Sequence, residues 1–405
     1  MKFKMTPDKL MIALFSAVLL ALPIATIAMP KQVKSENENR TLAKFPTLVD
    51  EYKWEKAETV GDYFSAFKWK YLNDRTGKAF KDDFETYFCD HIVGRESWVK
   101  VCNKLQTLAG KQEINGVYTK NGQMIQTFKD YDKQGVDEAL AAINLFAERH
   151  ADMPVSIMIA PTAQEFLNAQ IPGYMGLSSE KAFIESVYGK LSNISTIDCT
   201  SYLSGHSDEY IYYRTDHHWT SLGAYYAYTA AANTMGYTPY GLSAFNIETA
   251  SNSFKGTLYS STLNESITND VIEYYHLKDG DHVVKLSTTD DNGKQIENDS
   301  LYFREYLEVK DKYSSFTGSN SPVVTIETDV DNGKSLLLIK DSYAHSLVPF
   351  LANHYSKITM VDLRYINTDL NYVVDIDSYS RTMFMYNAIT FADDCKYIAK
   401  LKLTK

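Results

Sequence analysis

A carboxylate, two imidazoles and an indole stand side by side at Asp216, His217, His218 and Trp219. In an extended backbone, residues two positions apart project to the same side. The Asp216 carboxylate can therefore hold the ring of His218 and fix its tautomer, which leaves the other ring nitrogen free to act as a base. This pairing supplies two members of a catalytic triad for a hydrolase or a transferase, and it predicts a nucleophile elsewhere in the chain.

The candidate nucleophile is Ser342, in the segment Lys340-Asp341-Ser342-Tyr343. This segment follows an apolar run at 335–339 that is typical of a buried strand, and it opens a predicted helix. Sites in open parallel sheets form at the carboxyl ends of strands. The backbone N–H groups of Ser342 and Tyr343 would face a developing oxyanion there. The alternative is that Asp341 or Ser342 only caps the helix.

The elements that must position these segments are typical of an α/β domain from about residue 135 onward. Apolar runs predict buried strands at 155–160, 194–198, 335–339 and 357–363, and helical spacing predicts helices near 136–147, 183–191 and 343–353. Thr220 or Ser221 can cap a further helix that runs to about Met235 and stops at Gly236. The order strand, helix, strand with short connections implies parallel pairing.

The chain is predicted to fall into three parts. Residues 1–30 form a signal anchor or signal peptide, and 31–134 form a stalk and a mostly helical segment packed on the main domain. Residues 135–405 form the α/β domain. Within it, the stretch at about 240–333 is richer in Ser, Thr, Asp and Asn and is interpreted as an insertion of β hairpins and loops.

The N-terminus has the pattern of a membrane-targeting segment. Lys2, Lys4 and Lys9 precede an uncharged apolar run at 10–29 that is long enough to span a bilayer. The basic side stays in the cytoplasm, so the chain after Pro30 is expected on the other face. The length of the run favours an uncleaved anchor, and cleavage after Ala28 is the alternative, which would release a secreted protein.

Composition excludes some classes of partner and site. The net charge of -10 comes without a basic stripe, so no nucleic-acid partner is predicted. Cysteines at 89, 102, 199 and 395 form no C-x-x-C pair, which argues against a zinc ribbon or a thioredoxin-like site. Disulfides and buried free thiols both remain open.

The histidine segment allows other assignments, of which a metal site is the first. Adjacent histidines in an extended segment point to opposite sides, and no second cluster has ligand spacing, so neither a metal nor another cofactor is predicted. His217 is then expected to be structural or to line the cleft. Trp219 either packs beneath the turn or stacks on a sugar.

Residues that follow the two later strands add further candidates. His345, three positions after Ser342, is a rival base, although this spacing aims it along the helix. Arg364 and Tyr365 follow the predicted strand at 357–363 and are candidate substrate-binding residues. A salt bridge is the alternative role for Arg364.

Five blocks carry a family resemblance: Ser-Glu-Asn-Glu-Asn-Arg at 35–40, Asn-Gly-Val-Tyr at 115–118, Thr-Asp-His-His-Trp at 215–219, Lys-Asp-Ser-Tyr at 340–343 and Asp-Leu-Arg-Tyr at 362–365. In this order they resemble the DHHW family, which is related to the alginate O-acetyltransferase family within the SGNH hydrolase superfamily. The resemblance spans about residues 33–375.

The resemblance implies an SGNH-like three-layer α/β/α domain with a mainly parallel sheet. It also implies a triad in which Ser342 is the nucleophile, His218 the general base and Asp216 the orienting acid. Lys340 stands where the wider superfamily has Gly. The separate Gly and Asn oxyanion donors of that superfamily are not recognisable, which leaves the N–H groups of Ser342 and Tyr343.

The implied activity is acyl transfer through an acyl-enzyme outside the cytoplasm. The protein would be an O-acetyltransferase or acetylesterase acting on cell-surface or exported polysaccharide, with a membrane-bound O-acyltransferase as partner. The alternative is a non-catalytic, membrane-anchored glycan-binding or assembly protein with a degenerate SGNH fold. Such a protein has no need for Ser, His and Asp together.

Overall fold

The computed structural model describes residues 6–167, 171–289 and 294–404 of the 405-residue chain. The chain forms two compact units, Met1–Gly110 and Lys111–Lys405. Residues 111–134, which the sequence pattern grouped with the stalk and helical segment, belong to the second unit. Of the N-terminal lysines, Lys2 and Lys4 lie outside the described residues.

The first unit is mostly helical, as predicted. Its helices are α1 (Pro7–Ala28), α2 (Glu51–Glu55), α3 (Val60–Ala66), α4 (Trp69–Leu72), α5 (Lys78–His91) and α6 (Arg95–Leu108). Strands β1 (Lys34–Ser35) and β2 (Arg40–Thr41) pair antiparallel. By length and composition, α1 could cross a membrane.

The 35–40 block ties its own segment to α5 and α6. Ser35 Oγ and Asn37 Nδ2 each donate to the Glu96 carboxylate at 2.6 Å, and Arg40 forms a bidentate pair with Asp90 at 2.9 and 2.5 Å. The hydrogen bonds from Arg40 lower the pKa of Asp90 to about 2, against the effect of burial. These polar residues therefore have a structural role within the first unit.

The strands of the second unit are β3 (Glu113–Ile114), β4 (Val117–Lys120), β5 (Gln123–Gln126), β6 (Val155–Ala160), β7 (Ser195–Ile197), β8 (Phe245–Phe254), β9 (Asp270–Leu277), β10 (Val283–Thr289), β11 (Gln295–Asn298), β12 (Val323–Thr328), β13 (Ser335–Lys340), β14 (Lys357–Val361) and β15 (Arg381–Asn387). Its helices are α7 (Lys133–Arg149), α8 (Ala163–Leu167), α9 (Glu180–Tyr188), α10 (Cys199–Ser204), α11 (Ser221–Met235), α12 (Thr257–Thr262), α13 (Ala344–Leu351), α14 (Ala388–Asp393) and α15 (Cys395–Ile398).

The main sheet of the described residues has eight strands in the order β11-β10-β12-β14-β13-β15-β6-β7. The block from β14 to β7 is parallel throughout. The other strands, β12, β10 and β11, extend one edge antiparallel. The predicted insertion therefore completes the main sheet with β10 to β12, and it also forms the separate β8–β9 hairpin.

Both faces of this sheet are covered by helices. Leu336 and Leu338 are fully buried in one apolar core with residues of α11 and α13. Leu337 and Ile339 face the opposite core with residues of α7 and α14. Because side chains alternate along a strand, a continuous apolar run fits a strand that is buried on both faces. The three-layer α/β/α fold with a mainly parallel sheet is thus confirmed.

Two further sequence questions are answered by the fold. The helix from Ser221 to Met235 has Thr220 as its N-cap and Gly236 as its left-handed stop, with φ of 70°. All four cysteines are free thiols, with Cys89 and Cys102 exposed and the other two buried. Strand β15 is a central strand that the sequence pattern did not indicate.

Candidate active site

Ser342 lies in the turn between β13 and α13, at the carboxyl end of the parallel sheet. Its Oγ donates to His218 Nε2 at 2.7 Å. Asp341 fixes the turn, because its Oδ1 accepts the Tyr343 N–H at 2.9 Å and its Oδ2 accepts the N–H and Nδ2 of Asn387, each at 2.7 Å. Burial raises the pKa of Asp341 to about 6, although these donors oppose the shift. The turn is therefore tied to the end of the neighbouring strand β15.

Asp216 and His218 both lie in a bend of the backbone and not in an extended strand. Asp216 Oδ1 accepts the His218 backbone N–H at 3.0 Å and the ring Nδ1–H at 2.5 Å. Burial favours a raised pKa, but the charges of His218 and His217 and the hydrogen bonds of His218 and Thr257 dominate and lower the pKa of Asp216. An ionised Asp216 places the ring proton on Nδ1, so Nε2 is left to accept from Ser342.

Residues of the insertion hold the other side of Asp216. Its Oδ2 accepts the Thr257 N–H at 2.8 Å and the Thr257 hydroxyl at 3.0 Å. The preceding Gly256 passes so close that a Cβ there would lie 2.2 Å from Asp216 Oδ2. Only glycine fits that position without displacing the carboxylate.

Asp270 fixes the chain just before the bend. This buried carboxylate accepts the N–H groups of Arg214 and Thr215, each at 2.7 Å, and the Thr215 hydroxyl at 2.5 Å. Tyr210 also donates its hydroxyl to it at 2.5 Å. The sequence pattern did not single out Asp270, Thr257 or Gly256. No local signal marks them, since their partners lie 41 or more residues away along the chain.

Tyr313 is a further residue that the sequence did not reveal. Its ring stacks on His218, with centroids 3.7 Å apart and planes 10° apart. Its hydroxyl donates to the Ser342 carbonyl at 3.1 Å and lies 3.0 Å from Ser346 Oγ. Tyr313 therefore links the base and the nucleophile turn, and its ring face is positioned to favour a positive charge on the imidazole.

Trp219 is placed in the core and not on the cleft surface. It is fully buried, and its Nε1–H donates to Ser346 Oγ at 2.9 Å and to the Tyr343 carbonyl at 3.1 Å. A buried indole has no face for a sugar, so the stacking role considered for it does not fit the structure. The alternative role of packing does fit, because Trp219 joins the bend to α13.

His217 stands beside His218, contrary to the expectation that the two rings point to opposite sides. The ring centroids are 3.9 Å apart, because the backbone bends here. His217 Nδ1 lies 2.6 Å from Thr257 Oγ1. Burial, with help from the charge of His218, lowers the pKa of His217 to about 3, so this ring is neutral. A neutral His217 fits the predicted structural or cleft-lining role.

Within the described residues, Asp216, His217 and His218 are close enough to one another to hold a metal ion. Ligand atoms of Asp216, His217 and His218 lie within 4.8 Å of one another. Both ring nitrogens of His218 are engaged, one by Asp216 and the other by Ser342. A metal would therefore have to break the hydrogen-bonded chain to Ser342.

His345 is buried in a separate cluster and does not contact the Ser342 hydroxyl. Its Nε2 accepts from Lys340 Nζ at 2.8 Å, and its Nδ1 lies 2.5 Å from Thr317 Oγ1. Lys340 is itself buried, 3.6 Å from Asp362, and burial lowers its pKa to about 8 against the charge of Asp362. Neither ring nitrogen of His345 is placed to act as a rival base.

Arg364 forms the salt bridge that the sequence left as an alternative. Its Nε and Nη2 donate to Asp362 at 2.9 and 2.6 Å, and this bond raises the pKa of the guanidinium. Its Nη1 has no acceptor in the part of the chain that the structure describes. Tyr365 is exposed. The Arg364 charge also helps to lower the pKa of His217, after burial and the charge of His218.

Of the two predicted oxyanion donors, the N–H groups of Ser342 and Tyr343, the second is already engaged. The Tyr343 N–H donates to Asp341 and is not available to a substrate. The Ser342 N–H has no acceptor among residues 6–167, 171–289 and 294–404, so it remains a candidate.

Fold and site together define a three-layer α/β/α protein with a hydrogen-bonded Ser, His and Asp at the carboxyl end of its sheet. The chain belongs to the DHHW family, whose model, described as DHHW protein, matches residues 109–361. This confirms the family resemblance of the sequence. No match was found among curated proteins.

Two solved structures share this fold, and a third has a lower similarity. A DHHW family protein from Eubacterium siraeum is 29% identical over 72% of this chain and 98% of its own, with a TM-score of 0.63. Bacillus cereus PatB1, solved with a sulfonyl adduct, is 19% identical over 71% of this chain and 98% of its own, with a TM-score of 0.59. The O-acetyltransferase domain of Pseudomonas putida AlgJ is 15% identical over 71% and 98%, with a TM-score of 0.43.

Proposed function

We propose that this protein is an acyl-transfer enzyme in which Ser342 is the nucleophile, His218 the general base and Asp216 the orienting acid. One observation carries the proposal. Ser342 Oγ donates to His218 Nε2 at 2.7 Å while Asp216 accepts from His218 Nδ1 at 2.5 Å. A protein that only binds glycans has no use for this continuous path for a proton.

The reaction proceeds in two balanced steps. Ser342 Oγ attacks the carbonyl of an acyl ester as its proton passes to His218 Nε2, and the tetrahedral intermediate collapses when that proton is given to the leaving alcohol. A sugar hydroxyl or water then attacks the acyl-enzyme, and its proton passes to His218. Collapse returns the proton to Ser342 Oγ and releases the acylated sugar or the free acid.

The surroundings of His218 support its role as a base. Ionised Asp216 and the face of Tyr313 both stabilise the imidazolium that forms when His218 takes the proton. Asp216 cannot turn away, because Thr257 holds its second oxygen. The ring is therefore oriented before the substrate arrives, which lowers the cost of reorganisation.

Two hydrogen-bond donors, the Ser342 N–H and Arg364 Nη1, would bind substrate oxygens. The Ser342 N–H, at the start of α13, faces the developing oxyanion. Arg364 supplies Nη1 to an acceptor sugar or to the donor ester, while Asp362 accepts from its Nε and Nη2. Exposed Tyr365 offers an aromatic surface beside it.

The proposed setting is the outer face of the cell membrane, with α1 as anchor and an exported or cell-surface polysaccharide as substrate. Acyl groups would reach the protein from a membrane-bound O-acyltransferase. The apolar α1 supports the anchor. The sulfonyl adduct of PatB1 supports nucleophilic chemistry on this fold, because activated nucleophiles attack sulfonyl reagents.

A second candidate is a non-catalytic glycan-binding or assembly protein. The loss of the Tyr343 N–H to Asp341 favours it, because one oxyanion donor fewer weakens transition-state stabilisation. Covalent labelling separates the two functions, since a binding protein does not require a serine that reacts with a sulfonyl fluoride.

The test uses the full chain in detergent or nanodiscs. Wild type, Ser342→Ala and the exposed-serine control Ser319→Ala are incubated with a chromogenic acetyl ester and sugar oligomers, and acetate release and acetyl transfer to the oligomers are followed. Parallel samples are treated with a sulfonyl fluoride, and covalent labelling is measured. We expect Ser342→Ala to lose about 10⁴-fold or more in kcat and to escape sulfonylation, as for other triads. Equal activity of wild type and Ser342→Ala would remove Ser342 as nucleophile.

A further inference from the structure

Helix α6 carries an apolar stripe that nothing in the first unit covers. Trp98, Val101, Leu105 and Leu108 follow the spacing of one helix face, and they are 55%, 51%, 61% and 75% exposed. None of the fourteen residues of α6 is buried. A helix of this length is marginal in water on its own, so it needs a surface against which to pack.

Polar contacts join the beginning of α6 to other segments of the first unit. Arg95 donates to Glu38, and Glu96 accepts from Ser35 and Asn37. The Trp98 indole N–H donates to the Val93 carbonyl at 3.1 Å. These bonds hold the beginning of the helix, while more than half of each stripe side chain stays exposed.

The beginning of α6 is also tied to the outer end of the candidate anchor. The Val93 N–H donates to Thr26 Oγ1 at 3.2 Å, and Thr26 lies two residues before the end of α1 at Ala28. The twenty-two residues of α1 extend about 33 Å, close to the 30 Å hydrocarbon thickness of a bilayer. If α1 spans the membrane, Val93 lies at the hydrocarbon–headgroup boundary and α6 begins there.

We infer that α6 lies on the outer membrane surface as an interfacial helix, with its apolar stripe in the lipid. The inference rests on the membrane anchoring within the proposed function. The residue types of α6 match a membrane surface, since Trp is enriched at bilayer interfaces and Lys104, beside the stripe, can reach anionic headgroups. A second attachment of this kind would limit the motion of the first unit about α1.

The experiment measures lipid contact at single positions of the full chain in nanodiscs of phosphatidylcholine and phosphatidylglycerol. Exposed Cys89 and Cys102 are replaced by Ser, and an environment-sensitive fluorophore is attached through Leu105→Cys on the stripe. Thr107→Cys, exposed on the other side of α6, is the matched control, and Leu19→Cys within α1 reports on the anchor. Spin-labelled lipids serve as quenchers.

We expect a blue shift and loss of emission at Leu105→Cys and at Leu19→Cys, but not at Thr107→Cys. Quenching at Leu19→Cys alone would overturn the inference, because the stripe would then face water or be covered by protein. Quenching at neither position would overturn both the inference and the anchor. Acetyl transfer by the same samples, measured against Ser342→Ala, reports separately on the proposed chemistry.

Discussion

The two halves of the candidate site are positioned in different ways. Ser342 lies between a buried strand and a helix, so regular backbone hydrogen bonds place its turn, and the Asp341 side chain adds bonds within it. Asp216 and His218 lie in a bend between Tyr212 and Trp219, which form an isolated bridge, and residues from 256 to 313 hold the bend.

This difference predicts unequal tolerance to substitution. A turn between a strand and a helix is supported by many weak contacts, so the loss of one changes little. A bend held by a few buried donors loses its geometry when one of them is removed, because the other polar groups are left unsatisfied. The insertion is therefore part of the catalytic scaffold in the proposed enzyme.

The largest effect is expected for Asp216→Asn. An amide cannot accept from both His218 Nδ1 and Thr257 N–H, so the ring loses its tautomer or the bend loses its support. We expect kcat to fall by about 10⁴-fold, the size typical of this change in a triad. The matched control is Asp279→Asn at an exposed position. Activity within tenfold of wild type would show that Asp216 does not orient His218.

The next effect is expected for Gly256→Ala. The added Cβ would lie 2.2 Å from Asp216 Oδ2, so the carboxylate must move. Displacement of a positioned catalytic group by about 1 Å costs about 100-fold in kcat/KM. Gly241→Ala, in the same insertion but with only the Ser243 side chain nearby at 3.8 Å, should leave kcat/KM unchanged. Equal rates for both variants would mean that the bend adapts.

A smaller effect is expected for Thr257→Val. It removes the hydroxyl bond to Asp216 but keeps the backbone N–H bond at 2.8 Å. Loss of one hydrogen bond to a charged group costs about 1.5 kcal/mol, which corresponds to about tenfold in kcat/KM. Thr257→Ser keeps the hydroxyl and should retain the wild-type rate. If Ser and Val are alike, the hydroxyl does not support the carboxylate.

The same contrast explains which features the sequence could predict. The limits of β6 and the beginning of β13 coincide with apolar runs, and α11 begins and ends at its Thr and Gly signals, because local sequence determines these elements. Tyr313, Thr257 and Asp270 reach the bend across the fold. Their roles depend on tertiary contact, which no local pattern encodes.

The sequence pattern did not predict strand β15 for a related reason. It lies between β13 and β6 at the centre of the parallel sheet, yet its sequence begins with Arg381 and Thr382 and carries two methionines. Its neighbours, more than its own composition, make it a strand. The prediction of Tyr343 as an oxyanion donor is wrong because its N–H donates to the Asp341 carboxylate, a contact that the sequence pattern did not indicate.

The smallest effect is expected for Lys340, the last residue of β13, next to the Ser342 turn. Burial lowers the pKa of Lys340 to about 8 from 10.5, so between these pH values the unfolded chain binds a proton that the folded chain does not. Raising the pH in this window therefore favours the folded state. Relative to Lys340→Met, the free energy of unfolding of wild type should rise by about 1 kcal/mol from pH 8 to 9. Urea unfolding at both pH values measures this change, and exposed Lys278→Met should track wild type. A pH-independent difference would mean that Lys340 stays charged beside Asp362, and an ion pair would then support the end of β13 next to the Ser342 turn.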